Sequence, residues 1–365
     1  MTAPSTGTVP PTELDPATAA MHRAAPATRL VDYGMDPAEA RALLARTAGG
    51  EDWTTVAESF GTAQRVRSGR AADMGHPVTA TEAAGFAAAA FTVAQLALNA
   101  DDDRKRDLYR AHVEAVARVA TLRGPAMERV VVPYRGGELS GWLCLPPSGT
   151  ADATVVVWGG MSGWGASFLG VADAYTRRGL ACLLAEGPGQ GVPRLEHGLH
   201  VDEHVAAGFG AFLDVVERHP ALGDRVGVHG NSFGGLFAAL LAASDDRVGA
   251  CVVNGGPPAP GVPEFRAARE QLLAATGTDD LDRLAQVLAA LAFDGSTAPV
   301  RCPLLVLHGG RDPLVTQEQQ ELFTVGADPR TTMVRVWPDG EHTLYGHSAG
   351  RNALTADWTA DQLLR

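Results

Sequence analysis

Lysine is almost absent. Of 365 residues only Lys105 is one, and arginine supplies nearly every positive charge. Thirty basic side chains face 42 acidic ones, for a formal charge of −12. Such a balance argues against a nucleic-acid partner, whose phosphates require a basic face. Cysteine is scarce as well. Cys144, Cys182, Cys251 and Cys302 lie in or beside strand-like runs and form no C-x-x-C, which argues against a metal or redox centre and for reduced thiols in a cytoplasmic protein. No apolar run approaches the roughly 20 residues of a membrane span. The N-terminus has no basic segment leading into an apolar core, so a signal peptide is not expected. No internal repeat is visible, which disfavours a propeller-bearing peptidase. Neither metal nor other cofactor is expected.

What is present is ample apolar material, 45% of the chain, enough for a large core. Residues 1–27, rich in Pro, Thr and Ala, read as a disordered or loosely docked arm. From 28 to 124 the period is helical throughout: Asp36-Pro37-Ala38-Glu39 caps one helix, Thr79-Ala80-Thr81-Glu82 can cap another, and Arg104 to Leu122 carries one apolar face. This stretch reads as a helical domain. At Met127 the period shortens. Met127 to Tyr134 and Leu139 to Leu145 form a hairpin around Arg135-Gly136-Gly137-Glu138. Alternating strands and helices follow to the C-terminus, interrupted by a Pro-rich and helical insertion at about 255–298. A hairpin followed by βα units predicts an α/β protein with a mostly parallel, doubly wound sheet over residues 125–365.

The chemistry concentrates at Gly230-Asn231-Ser232-Phe233-Gly234, between a strand-like run ending at Val228 and a helical run from Leu236. Strand, G-x-S-x-G turn and helix make a nucleophile elbow, in which Gly on both sides lets the elements approach while the Ser hydroxyl is exposed. The partners of such a serine lie at the carboxyl ends of later strands. Asp312 follows the strand Leu304 to His308, and His342 follows the strand Thr332 to Trp337, giving the chain order Ser, Asp, His. His308 and His347 are the competing histidines, the first ending a strand and the second five residues later than His342. An oxyanion hole needs two N–H donors. Phe233 supplies one, and the loop Gly159-Gly160-Met161-Ser162-Gly163 the other, through Met161 or Gly160. Glu186, before Gly187-Pro188-Gly189-Gln190-Gly191, either touches substrate or pins the loop backbone. Trp164 and Phe265 are candidate pocket walls or plain packing. His197, His200 and His204 have spacing that suggests a metal, but no cysteine or tight carboxylate cluster accompanies them.

On Gly159-Gly160-Met161, Gly187 to Gly191, Gly230 to Gly234, and His342 followed by Ala356-Asp357-Trp358, residues 28–365 resemble an α/β-hydrolase group, that of dihydroxypseudooxynicotine hydrolase and the fermentation–respiration switch protein. The resemblance implies a Ser232, Asp312, His342 triad under an N-terminal helical cap. Three positions depart from the group. Relatives usually carry Asp where Glu186 stands, an acidic residue at Val192, and Cys soon after the catalytic His, where this chain has Leu344 and Tyr345. Chemistry in the group includes hydrolysis of C–C bonds beside ketones as well as ester cleavage. The expectation is therefore a serine hydrolase acting on a carbonyl of a small apolar substrate, with a homodimer left open. An acyltransferase or cyclase, and a non-catalytic binding protein on the same fold, are the alternatives.

Overall fold

The computed structural model describes residues 14–365. Six helices come first: α1 (Pro16–Ala24), α2 (Ala27–Asp32), α3 (Pro37–Ala48), α4 (Trp53–Asp73), α5 (Pro77–Gln95) and α6 (Asp103–Arg123). Residues 1–13 of the expected arm lie outside the described residues. The rest of it departs from expectation, since α1 is a helix capped by the Asp15 carboxylate on the Ala17 and Thr18 N–H groups, with Pro16 at its first position. Asp15-Pro16 is a start signal that the surrounding composition obscured. Helix α5 likewise begins at Pro77, ahead of the expected Thr79 cap. Its Ala87, Ala88, Ala89 and Ala90 are all buried, because α4 and α6 flank it and small side chains admit close helices. Gly61 of α4 makes this possible: a Cβ there would stand 2.9 Å from the Phe91 ring.

The remainder alternates: β1 (Met127–Tyr134), β2 (Gly137–Cys144), β3 (Ala151–Trp158), α7 (Leu169–Thr176), β4 (Ala181–Glu186), α8 (Gly191–His197), α9 (Val205–Arg218), β5 (Leu222–Asn231), α10 (Phe233–Ser244), β6 (Val248–Asn254), α11 (Arg266–Thr276), α12 (Leu281–Ala290), β7 (Leu304–Gly309), α13 (Gln317–Glu321), β8 (Thr332–Trp337) and α14 (Ser348–Leu364). The eight strands form one sheet in the order β1-β2-β4-β3-β5-β6-β7-β8. Pairings of β2 are antiparallel and every other pairing is parallel. Toward their carboxyl ends strands β3 to β7 are wholly buried, as parallel strands covered on both faces must be. Alternation along β3 divides the core. Val155 and Val157 face a cluster that continues into α7, α14 and the N-terminal helices, whereas Val156 and Trp158 face α9 and α10. This is the α/β-hydrolase fold with a helical cap. No helix among the described residues is long and apolar enough to cross a membrane.

Two histidines buried in this core carry a pH-dependent cost. Burial pushes His112 of α6 down to about 4 and His229 of β5 down to about 3. The unfolded chain takes up these protons near pH 6.5, so the unfolded state binds more protons below that value. Stability present above pH 6.5 should therefore be lost progressively as pH falls toward 4 and 3. Denaturant midpoints measured from pH 7.5 to 4 should fall with pH, and His112→Asn, which does not titrate, should flatten the dependence. An unchanged slope in that variant would remove His112 from the account.

Candidate active site

The turn between β5 and α10 forces Ser232 into φ 56°, ψ −131°. Such an angle is costly for a non-Gly residue and persists only where the surroundings over-determine it. Here they do. The Ser232 N–H donates to the Asn254 carbonyl at 2.8 Å, and the Ser232 carbonyl accepts from Gly235 at 2.7 Å. The flanking glycines are required by space as well as angle. A Cβ on Gly230 would lie 1.8 Å from the Gly234 carbonyl oxygen, and one on Gly234 would lie 2.4 Å from that of Gly159.

His342 Nε2 stands 2.9 Å from Ser232 Oγ, and His342 Nδ1 stands 2.8 Å from Asp312 Oδ2. An ionised carboxylate can only accept, so Nδ1 carries the proton and Nε2 accepts from the Ser232 hydroxyl. Asp312 is itself fixed, its Oδ1 accepting from the Leu314 and Val315 N–H groups at 2.8 and 3.2 Å, with its side chain 0% exposed. The other two histidines lie apart from this chain of bonds. His308 is buried with no partner for Nδ1 among the described residues, and His347 Nε2 lies 3.3 Å from Asp339.

The loop carrying His342 is itself strained, since Thr343 and Leu344 take φ 57° and 63°. The Thr343 carbonyl accepts from Arg351 Nη1 at 2.9 Å and from Asn254 Nδ2 at 3.1 Å. Asn254 Nδ2 also donates to Asn231 Oδ1, beside the nucleophile, at 2.8 Å. Arg351 is 1% exposed and forms a bidentate pair with Asp32 of α2, at 2.8 and 3.0 Å. Removing one partner of a buried pair leaves an uncompensated charge, so Asp32→Ala should cost about 3–5 kcal/mol. The midpoint of denaturant unfolding reads that loss; a shift below about 1 kcal/mol would mean the pair is not structural. Asn231, Asn254, Arg351 and Asp32 were not foreseen, because each acts through a partner distant in sequence.

Opposite Ser232, the loop after β3 approaches closely. A Cβ on Gly160 would lie 2.8 Å from Ser232 Cβ and 3.1 Å from the Phe233 N. Neither the Met161 nor the Phe233 N–H donates to any group among the described residues, and as the first residue of α10 Phe233 has no intrahelical acceptor. The Phe233 N–H thus lies beside Ser232 without an acceptor, and the Met161 N–H follows Gly160 in the adjoining loop, also without one. Gly160→Ala should push this loop away from Ser232 and lower kcat by about 10²-fold or more, the scale of losing one oxyanion donor. Rates on an aryl ester decide it; a variant within threefold of wild type would mean the loop yields without harm.

The expected wall residues fare differently. Phe265 is 72% exposed and is no wall. The insertion covers the site instead with Leu272 of α11 and Leu284 and Leu288 of α12, against which Met161 and Phe233 pack. Helical amphipathicity explains the exchange, since Phe265 precedes α11 on its outer side while the buried leucines recur along the inner faces. Trp164 is also buried, packed with Tyr109, Val192 and Leu195, and its indole N–H donates to the Gly160 carbonyl at 3.2 Å. It belongs to the packing behind the loop. Glu186 accepts from Tyr109 of α6 and, at 2.9 Å, from the Val192 N–H. Burial raises its carboxyl above the usual range while both hydrogen bonds oppose the rise. The second of the two readings of Glu186, a carboxylate that pins the loop, fits these contacts. A cavity of about 570 Å³ opens between the loop after α5 and α11, lined among others by Leu98, Asn99 and Leu273. None of Ser232, Asp312 and His342 lines it, but Leu273 also packs in the cluster that holds Met161 and Phe233. Among the described residues no three His, Cys, Asp or Glu side chains converge as a metal-ligand set.

The sequence model described as the dienelactone hydrolase family matches residues 171–360, just over half the chain. Over 320 residues the chain is 24% identical to 2,6-dihydropseudooxynicotine hydrolase of Paenarthrobacter nicotinovorans, covering 86% of this chain and 84% of that one. It is 29% identical over 215 residues to the alpha/beta hydrolase gkaG of Penicillium citrinum, covering 55% of this chain and only 50% of that one. Among solved structures, that of 2,6-dihydroxy-pseudo-oxynicotine hydrolase superposes with a TM-score of 0.82 at 22% identity, over 92% of this chain and 95% of the other. AbyA5 superposes with a TM-score of 0.66 at 21% identity, over 89% and 94%. These likenesses concern the fold, cap included.

Proposed function

Since the chain belongs to the dienelactone hydrolase family of α/β-hydrolase enzymes, we propose that it is a serine hydrolase whose triad is Ser232, His342 and Asp312. The observation that carries this is the unbroken chain of hydrogen bonds from Asp312 through His342 to the strained Ser232. His342 Nε2 takes the hydroxyl proton as Ser232 Oγ attacks a substrate carbonyl, while Asp312 holds the tautomer and stabilises the imidazolium. The Met161 and Phe233 amides receive the oxyanion. His342 then returns the proton to the leaving group, and water resolves the acyl-enzyme. An ester releases an alkoxide. A C–C bond releases a carbanion, which must be delocalised as an enolate or into an electron-rich ring.

Leu272, Leu284 and Leu288 beside Met161 and Phe233 favour a small, apolar molecule. Closed over a bound substrate, the cap and the insertion would limit water at the site, which suits a carbanion leaving group as well as an ester. Product analysis on a panel of β-diketones, acylphenols and aryl esters tests the reading, with Ser232→Ala as control. Cleavage with gain of one water, lost in that variant, is the expected result. Turnover that persists in the variant would overturn the acyl-enzyme route.

A further inference from the structure

The motif Gly187-Pro188-Gly189-Gln190-Gly191 finds no part in the triad, yet it reaches the site. Gln190 is 1% exposed and its Nε2 donates to the Gly159 carbonyl at 2.6 Å and to the Gly160 carbonyl at 3.2 Å. Its Oε1 accepts from the Gly187 N–H at 3.3 Å, which leaves the amide little freedom to rotate. From the other strand end, the Trp164 indole N–H donates to the same Gly160 carbonyl at 3.2 Å. We propose that Gln190 and Trp164 are positioning residues which together aim the Met161 N–H at the oxyanion, and that the cap acts on catalysis by holding Trp164 in place. The proposal rests on the triad reading above.

Peptide geometry makes the link. The Gly160 carbonyl and the Met161 N–H belong to one planar trans unit and point in opposite directions. With the carbonyl held by Gln190 and Trp164, the N–H faces away from them. Gly160 itself lies against Ser232 Cβ and the Phe233 N, the second free donor. Left alone, this loop would not be rigid. Gly159 and Gly160 lack side chains that restrict the backbone, and a flipped peptide would turn a carbonyl dipole toward the oxyanion. Both glycines are nevertheless needed, since a Cβ on Gly159 would lie 1.6 Å from the Gly163 carbonyl oxygen. A clamp from outside the loop reconciles close approach with rigidity. That is preorganisation of a donor before charge develops.

Trp164 is caged in turn by the cap. The Tyr109 ring of α6 meets it edge-on at 5.3 Å, and Lys105 Nζ lies 5.5 Å from its ring. Arg194 of α8 lies over the ring at 4.7 Å while donating to the Gly189 carbonyl at 3.1 Å and to Asp101, between α5 and α6, at 3.0 Å. The indole cannot turn without moving α6.

Two apolar variants separate positioning from packing. Trp164→Phe keeps a ring in the cage and removes one donor; Gln190→Met keeps length and removes both bonds donated to the loop together with the one accepted from Gly187. On a small aryl ester, kcat should fall about tenfold in the first and about 10²-fold in the second, with KM within about twofold. The decisive readout is binding of an aryl trifluoromethyl ketone, to which Ser232 Oγ adds, its proton passing to His342 and the ketone oxygen becoming the oxyanion. Affinity for the ketone should fall by the same factor as kcat/KM, while affinity for the corresponding alcohol, which forms no oxyanion, should not change. Ketone and alcohol weakened together, or variants as active as wild type, would overturn the proposal and leave the triad standing. If Gln190→Met does not fold, Trp164→Phe alone decides. Should wild type and Ser232→Ala bind the ketone equally, the triad reading fails and the positioning roles fall with it.

Discussion

Ser232→Ala should lower kcat by about 10⁶-fold, because removing the nucleophile of a triad costs about as much as removing all its members. Alanine keeps the Cβ and therefore the turn, with its bonds from Ser232 N–H to Asn254 and from Gly235 to the Ser232 carbonyl. The melting temperature should stay within a few degrees, and relief of a side chain from the φ 56° position adds nothing, since alanine is strained there too. Folding and catalysis thus separate cleanly. The double variant with His342→Ala should be no slower than Ser232→Ala alone, because the histidine has lost the proton it takes. A single variant retaining more than a hundredth of the wild-type rate would mean that another group performs the attack.

Asp312→Asn should cost about 10⁴-fold in kcat with little change in structure. The asparagine carbonyl can still accept from Leu314 and Val315, which bind Asp312 Oδ1 at 2.8 and 3.2 Å. Its amide, however, donates where Oδ2 accepted. Nδ1 of His342 must then present its lone pair, so the proton sits on Nε2, facing Ser232 Oγ 2.9 Å away. That histidine cannot take the hydroxyl proton. The variant also removes the buried charge that stabilises the imidazolium. Pre-steady-state traces on an aryl ester should show slow acylation with unchanged substrate affinity. A loss confined to KM would assign Asp312 to binding.

Much of this was legible in the chain. Strands β1 and β8 have the bounds expected from the sequence, and the apolar runs of β3 to β7 announced a parallel sheet. That Ser232, Asp312 and His342 come within hydrogen-bonding distance was readable because each follows a strand at its carboxyl end. Other features carried no local signal. Helix α8 lies in a Gly- and Pro-rich stretch with Pro193 at its third position, where a turn is the natural reading. The left-handed pair Thr343 and Leu344 contains neither Gly nor Asn, and only Arg351 and Asn254, holding the Thr343 carbonyl, explain it. Arg351 in turn depends on Asp32, 319 residues away. Pocket walls were the weakest inference. Phe265 lies in the insertion as expected, yet position on the helix surface decides burial, and the leucines of α11 and α12 occupy the inner side. Trp164 and Gln190 were noticed as neighbours of the site, but their shared acceptor, the Gly160 carbonyl, is visible only in three dimensions.

The claim at the centre of this account is that Ser232 is the nucleophile, and a fluorophosphonate tests it directly. Intact mass after exposure should rise by one adduct per chain, and peptide mapping should place it on Ser232. Labelling should disappear in Ser232→Ala and slow greatly in His342→Ala, where no base takes the proton. An unlabelled wild-type protein, or an adduct on any other residue, would contradict it.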